Sequence, residues 1–216
     1  MTLVSPWSFH SGNFIDLCKS LADKDEVLAA IVEKFGYPPL WSRPANFSTL
    51  IHIILEQQVS LASARSAFER LKDRLGDITP ENLLQLSDLE MRACYFSRQK
   101  TIYARELASA VIERRVVLHE LGQLPDEEIR QSLKQVKGIG DWTVDIYLLF
   151  ALQRSDLFPT GDLAMMKAIK EVKQLRRDTS REDIMLIAEP WRPYRSIATM
   201  LLWHYYIMTK GIAVPG

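Results

Sequence analysis

The sequence predicts an all-α protein, and three observations predict it. Apolar residues recur mostly at intervals of three and four, the mark of helices with one buried face. Glycine is scarce, 9 in 216 residues, so little of the chain is punctuated. Capping residues stand at the heads of several periodic stretches. With 47% apolar residues, the chain can bury a substantial core as one domain or two closely packed lobes, and nothing in it demands an oligomer.

"FIDLCKSLA" and "DEVLAAIVEKFG" read as two opening helices, the second stopped by Gly36 with Pro38 and Pro39. After the loop "YPPLWSRPA", the stretch from Asn46 to Gly76 predicts two helices, the first very apolar, with a break around Gln57 to Ser60. Pro80 after Thr79 sits at a first helical position, and Ser87 to Glu90, "SDLE", is a capping box. Ser97 to Arg115 predicts a long helix rich in basic residues. "LPDEEIRQSLKQ" opens with acidic residues, as the positive end of a helix dipole favours. "DLAMMKAIKEVKQL", "SREDIMLIAE" with Ser180 as cap, and a long helix from near "WRPYRS" complete the chain. No repeat, low-complexity tract or linker interrupts it, so two lobes would have to be woven from discontinuous segments.

Lys and Arg total 27, matched by 27 Asp and Glu, so any nucleic-acid site must be a local patch and not a global field. Cys18 and Cys94 are too few for a disulfide framework or a four-thiolate metal site, which points to a reducing compartment. "MTLVSPWSFHSGNF" lacks a signal peptide's pattern, and no apolar run approaches the roughly 20 residues that span a bilayer. These readings predict a soluble intracellular protein with no membrane partner.

The densest signal is "LKQVKGIGDWTVDIYLLFALQRSDLFPTGD", Leu133 to Asp162. Gly138 and Gly140 lie between two helical patterns, where missing β-carbons permit positive φ and close approach. A helix starting at Asp141 aims its first N–H groups and its dipole outward, which suits a phosphate oxygen without any basic side chain. An isolated G-x-G also marks a close-packed corner. Asp162, for its part, has the setting of a helix N-cap.

The wider pattern resembles the helix-hairpin-helix (HhH-GPD) DNA glycosylases. "LKQVKGIGDWTVDIYLLFA" resembles their hairpin, and "LFPTGDLAMMKAI" the Gly/Pro-then-Asp segment. "LIHIILEQQVSLASA", "SRQKTIYARELASAV" and "WRPYRSIATMLLW" match one branch, the 3-methyladenine DNA glycosylase II family that acts on alkylpurines. The five segments follow in order from about Phe47 to Trp203. The resemblance implies two interlocked helical lobes with a cleft between them, one of roughly residues 1–40 and 155–216, the other with the hairpin at roughly 41–154. The family's N-terminal β domain is not expected, since only about forty-five residues of helical pattern precede the first match.

By resemblance, Asp162 is the catalytic carboxylate of base-excision repair. An anion near C1′ would stabilise the oxocarbenium character that develops as an N-glycosidic bond breaks. Superfamily members that nick the strand carry a Schiff-base lysine two residues after the second hairpin glycine; Trp142 stands there, which implies a monofunctional glycosylase without lyase activity. Turning a nucleotide out of the duplex requires a wedge, matched by Gln58 with Gln57 and Ser60 in support. Trp142 and Trp203, then Tyr147 and Trp41, are candidate rings for a cationic base such as 3-methyladenine or 7-methylguanine. Ile146 and Leu163 stand where relatives have tyrosines, so the pocket should be less aromatic.

The backbones of Gly138, Gly140 and Thr143 would present hairpin donors to phosphate. The carbonyls of Lys134, Val136 and Gly138 match positions where relatives hold a structural Na+ or K+; no catalytic cofactor is expected. The partner is then double-stranded DNA bearing damaged bases, met by a monomer in cytoplasm, nucleoid or nucleus. Three rival readings remain at this point: a noncatalytic hairpin module that only binds DNA, a glycosylase for another lesion such as a deaminated base, and a helical protein–protein scaffold, which would show no salt-dependent binding to DNA.

Overall fold

A computed structural model describes residues 8–212; the opening Met1–Trp7, part of the stretch read for a leader, lies outside them. In chain order the helices are α1 (Phe14–Ala22), α2 (Glu26–Phe35), α3 (Phe47–Glu56), α4 (Leu61–Leu75), α5 (Pro80–Leu84) and α6 (Asp88–Ala93). They continue with α7 (Arg98–Ile112), α8 (Asp126–Lys134), α9 (Asp141–Phe150), α10 (Leu163–Val172), α11 (Arg181–Ala188) and α12 (Arg195–Lys210). Among the described residues the only β pairing is an isolated bridge between Ser8 and Arg154, so the all-α expectation holds.

Local chemistry starts these helices where side-chain oxygens can take orphan amides. Asp25, Asn46, Ser60, Thr79, Ser97 and Ser180 each accept a backbone N–H from the first turn of the helix they open. Ser87 and Glu90 form the reciprocal capping box read from their spacing. The expected helix 97–115 stops three residues short, at Ile112, because Arg114 adopts a left-handed φ of 58° and turns the chain.

Two compact units result, one of residues up to Ser42 with those from Leu148 onward, the other Arg43–Tyr147. The chain re-enters the first unit within α9, earlier than a boundary near 155. Leu148 and Leu149 are buried, and Arg154 N–H returns to Leu148 O at 3.0 Å, so the turn after α9 stays with the end of that helix.

In the first unit α12 is the central element, packed by α1, α2 and α10. Leu28, Ile31, Ile169, Ile197 and Leu201 are among its buried residues. Asp25 does more than cap α2: its carboxylate also receives Lys173 Nζ at 2.7 Å and Trp191 Nε1 at 2.9 Å. In the second unit α3 is buried nearly all round and packs on α4 and α7, with α5 and α6 against α7. At its end Glu56 takes a forked pair of bonds from Arg43, 2.6 and 2.9 Å, satisfying a carboxylate that is otherwise out of water. Among the described residues no helix is long and apolar enough to cross a membrane.

Candidate functional site

In the second unit α8 and α9 form the two arms of a hairpin. Ile139 N–H closes on Val136 O at 3.1 Å, and Val144 N–H on Gly140 O at 3.1 Å begins the α9 ladder. Gly138 has φ 94°, which L side chains rarely adopt, and a β-carbon there would lie 2.0 Å from the Tyr103 ring. The aromatic ring of α7 is therefore packed straight onto the hairpin backbone. Gly140 differs: its φ is unexceptional and nothing lies within 4 Å of its would-be β-carbon. This is the glycine that leaves open space at the mouth of α9.

Across the hairpin Arg130 pairs with Asp145, whose carboxyl is pushed up by burial while Arg130 pulls it down less strongly. Lys134 Nζ meets the exposed carboxylate of Asp141 at 2.6 Å. That pairing offsets an acidic charge standing at the end of α9 where an anion is favoured.

The loop between α3 and α4 joins this hairpin. Gln57 Nε2 donates to Gly138 O at 2.9 Å and to Thr143 Oγ1 at 3.0 Å, tying together residues more than eighty positions apart. Gln58 projects into solvent with φ 58°, a left-handed conformation uncommon for a non-glycine residue. Ser60 is the N-cap of α4. Thr143 is 2% exposed with its hydroxyl committed to Gln57, so its side chain joins hairpin to loop, and the donor expected of it is its backbone N–H in the first turn of α9.

Of the three carbonyls expected to face a cation, Val136 O accepts Ile139 N–H and Gly138 O accepts Gln57. A carbonyl has two lone pairs, so these neutral oxygens remain suited to a weakly held Na+ or K+.

In the first unit Asp162 is the N-cap of α10. Its N–H bonds Pro159 O at 2.8 Å and its Oδ1 accepts Met165 N–H at 2.8 Å. The same Oδ1 accepts the indole N–H of Trp203 at 2.9 Å. Two donors from different helices thus orient one half-buried carboxylate at the positive end of a helix. Trp203 is buried and its ring lies 5.5 Å from that of Phe150.

The other candidate rings fall out differently. Trp142 and Trp41 are half-buried. Tyr147 is 0% exposed, its hydroxyl has no hydrogen-bond partner among the described residues, and burial pushes its pKa up to about 12. This corrects its place among the base-binding rings: Tyr147 is a core residue of α9. Ile146 is buried as well, whereas Leu163, next to Asp162, is 75% exposed.

Sequence reasoning missed Tyr103, Arg195 and Ser196. Tyr103 carried no signal, since an aromatic on a helix face gives no hint of a glycine from a distant segment. Ser196 carried one: a serine inside an apolar helical run needs a bonding partner if buried.

The sequence pattern that defines the HhH-GPD superfamily base excision DNA repair proteins matches residues 51–193. DNA-3-methyladenine glycosylase 1 of Schizosaccharomyces pombe is 30% identical over 190 residues, covering 85% of this chain and 83% of that protein. The YfjP protein of Bacillus subtilis is also 30% identical, over 82% of this chain, which spans 64% of that relative's length. Among solved structures, the S. pombe 3-methyladenine DNA glycosylase in complex with abasic DNA superposes with a TM-score of 0.82 at 28% identity, over 93% of this chain and 100% of that one.

Proposed function

Because the chain belongs to the HhH-GPD superfamily of base excision DNA repair proteins, we propose that it is a monofunctional DNA glycosylase releasing alkylated purines, of the 3-methyladenine and 7-methylguanine type, from double-stranded DNA. The observation that carries this reading is Asp162, a carboxylate oriented by Met165 N–H and Trp203 Nε1 at the head of α10. As the N-glycosidic bond breaks, its electron pair leaves with the base and positive charge develops over C1′ and the ring oxygen of the deoxyribose. Asp162 stabilises that charge; water then forms the new C1′–O bond and gives up its proton to the carboxylate or to solvent. An alkylated purine already carries positive charge, so its departure needs no strong general acid.

The hairpin and the α3–α4 loop supply the grip on DNA. Gly140 and the N-terminus of α9 take a phosphate, and Gln58 is the wedge that fills the space of the extruded nucleotide. The tie from Gln57 to Gly138 and Thr143 holds the wedge loop and the phosphate grip as one piece. A monovalent cation on the carbonyls of Lys134, Val136 and Gly138 would add positive charge beside the phosphate. Trp142, Trp41 and Trp203 are the rings offered to the base, with Leu163 as an apolar neighbour of Asp162. The protein acts as a monomer in this reading.

The test is base release from duplexes that each carry one lesion, with 3-methyladenine and 7-methylguanine set against hypoxanthine and uracil. Release from the methylated purines is expected to be fastest. Binding without release from any of them would return the protein to the noncatalytic class. Trp142 stands at the position of the Schiff-base lysine, so the product should be an intact abasic strand, with no protein–DNA adduct after borohydride treatment. A trapped adduct abolished by changing one lysine would overturn the monofunctional assignment.

Gly140→Ala tests the grip, because among the described residues nothing beyond its chain neighbours lies within 4 Å of the added methyl, and the fold should stay intact. Affinities for damaged and undamaged duplexes should fall by similar factors, since a phosphate contact carries no information about the base. A loss confined to the lesion duplex would take Gly140 out of that role.

A further inference from the structure

α12 is apolar along most of its length, yet its first two turns carry Arg195, Ser196 and Thr199, all buried, with Ser196 and Thr199 at 0% exposure. A hydroxyl inside a helix and out of water is costly unless bonded. Each of these finds its side-chain hydrogen-bond partners in one short segment, Arg154–Leu157, while Arg195 also lies 4.0 Å from the Glu189 carboxylate. Ser196 Oγ donates to Arg154 O at 2.6 Å and accepts Leu157 N–H at 2.9 Å, while Ser196 N–H bonds Ser155 O at 2.9 Å. Arg195 forks onto the Asp156 carboxylate at 2.7 and 3.0 Å and touches Asp156 O at 3.2 Å. Thr199 Oγ1 reaches Leu157 O at 3.4 Å, a weak bond. Two turns beyond Ser196, on the same face of the helix, Trp203 holds Asp162 itself.

The segment from Leu157 to Asp162 has no helical ladder of its own ahead of α10. Its course is set at one end by Ser196 and at the other by Trp203, both fixed in one rigid helix. We propose that Ser196 is a positioning residue for catalysis: through Leu157 N–H and Arg154 O it sets where the Asp162 carboxylate lies relative to the sugar. The proposal rests on the reading of Asp162 as the catalytic anion. Its physical basis is the steepness of catalysis in distance, since a misplacement of about 1 Å can cost about 100-fold in rate.

The experiment uses the full chain and a 7-methylguanine duplex, with Ser196→Ala and Ser196→Cys each made alone and with Asp162→Asn. Base release under single-turnover, saturating conditions is measured well below each variant's melting temperature, alongside affinity for an abasic-site duplex. Ser196→Ala should slow release by about 10-fold or more while the abasic affinity stays within about 2-fold, and Ser196→Cys, which keeps a weaker donor, should fall between it and the unchanged protein. In the Asp162→Asn background the same change should cost less than about 2-fold, because there is no anion left to position.

A scaffold role alone predicts otherwise: lower melting temperature with unaltered release, or an equal loss in both backgrounds. Either result overturns the proposal. If Ser196→Ala does not fold, the comparison of Ser196→Cys in the two backgrounds decides in the same way. Failure of the underlying reading is seen separately, as near-normal release by Asp162→Asn with Ser196 intact.

Discussion

Asp162→Asn is expected to slow base release by about 100- to 1,000-fold while changing fold stability by less than about 1 kcal/mol. The substitution separates two roles that meet in one side chain. As an N-cap, asparagine is about as good as aspartate, and its Oδ1 can still accept Met165 N–H and Trp203 Nε1 in the present geometry. As an electrostatic partner it is far poorer, because a neutral amide cannot match an anion beside a developing positive charge. Affinity for a lesion duplex should survive, since hairpin and wedge are untouched. A melting curve, an equilibrium affinity and single-turnover release on one preparation check the expectation. Release close to that of the unaltered protein would leave Asp162 as a cap and nothing more.

Gly138→Ala is expected to lower stability by about 2 to 5 kcal/mol, of which about 1 to 2 is left-handed backbone strain and about 1 to 3 is overpacking. The strain follows from φ 94°, and the overpacking from a β-carbon placed 2.0 Å from Tyr103 Cγ and 2.3 and 2.4 Å from its two Cδ atoms. Those atoms lie at the root of the ring, which cannot swing aside as a flexible chain end would. Thermal unfolding should fall by roughly 5–15 °C for a chain of this size. Adding Tyr103→Ala to Gly138→Ala should relieve the packing part and leave the backbone part. No relief in the double variant would mean that Tyr103 is not what restrains this glycine.

The two hairpin glycines looked alike in the sequence and are unlike in the structure. Adjacency to Ile139 and the switch between helical patterns marked both as points of close approach. Which neighbour approaches is a question of tertiary contact, and the answer among the described residues is Tyr103 for Gly138 and none beyond its chain neighbours for Gly140. Their variants therefore report different things, the first mainly stability and the second mainly the grip on DNA.

What the sequence determined by itself is what short-range physics decides. Helical periodicity, the start of α5 after Thr79, the Ser87 capping box and the cap at Ser180 were legible because each side chain bonds amides only three residues away. The break at Gln57 to Ser60 and the setting of Asp162 as a cap were local in the same sense. The tertiary structure alone decided which partners the exceptional residues take. Trp203 serves Asp162 as a donor, Thr143 belongs to Gln57, Tyr147 is core, and Ser196 holds the segment leading to the carboxylate. Each of those outcomes except that of Tyr147 is a hydrogen bond between residues about forty or more positions apart, and burial such as that of Tyr147 depends on every element packed around it. Periodicity tells which face of a helix is apolar; only the assembled core supplies the particular polar atom that a buried indole, amide or hydroxyl must find.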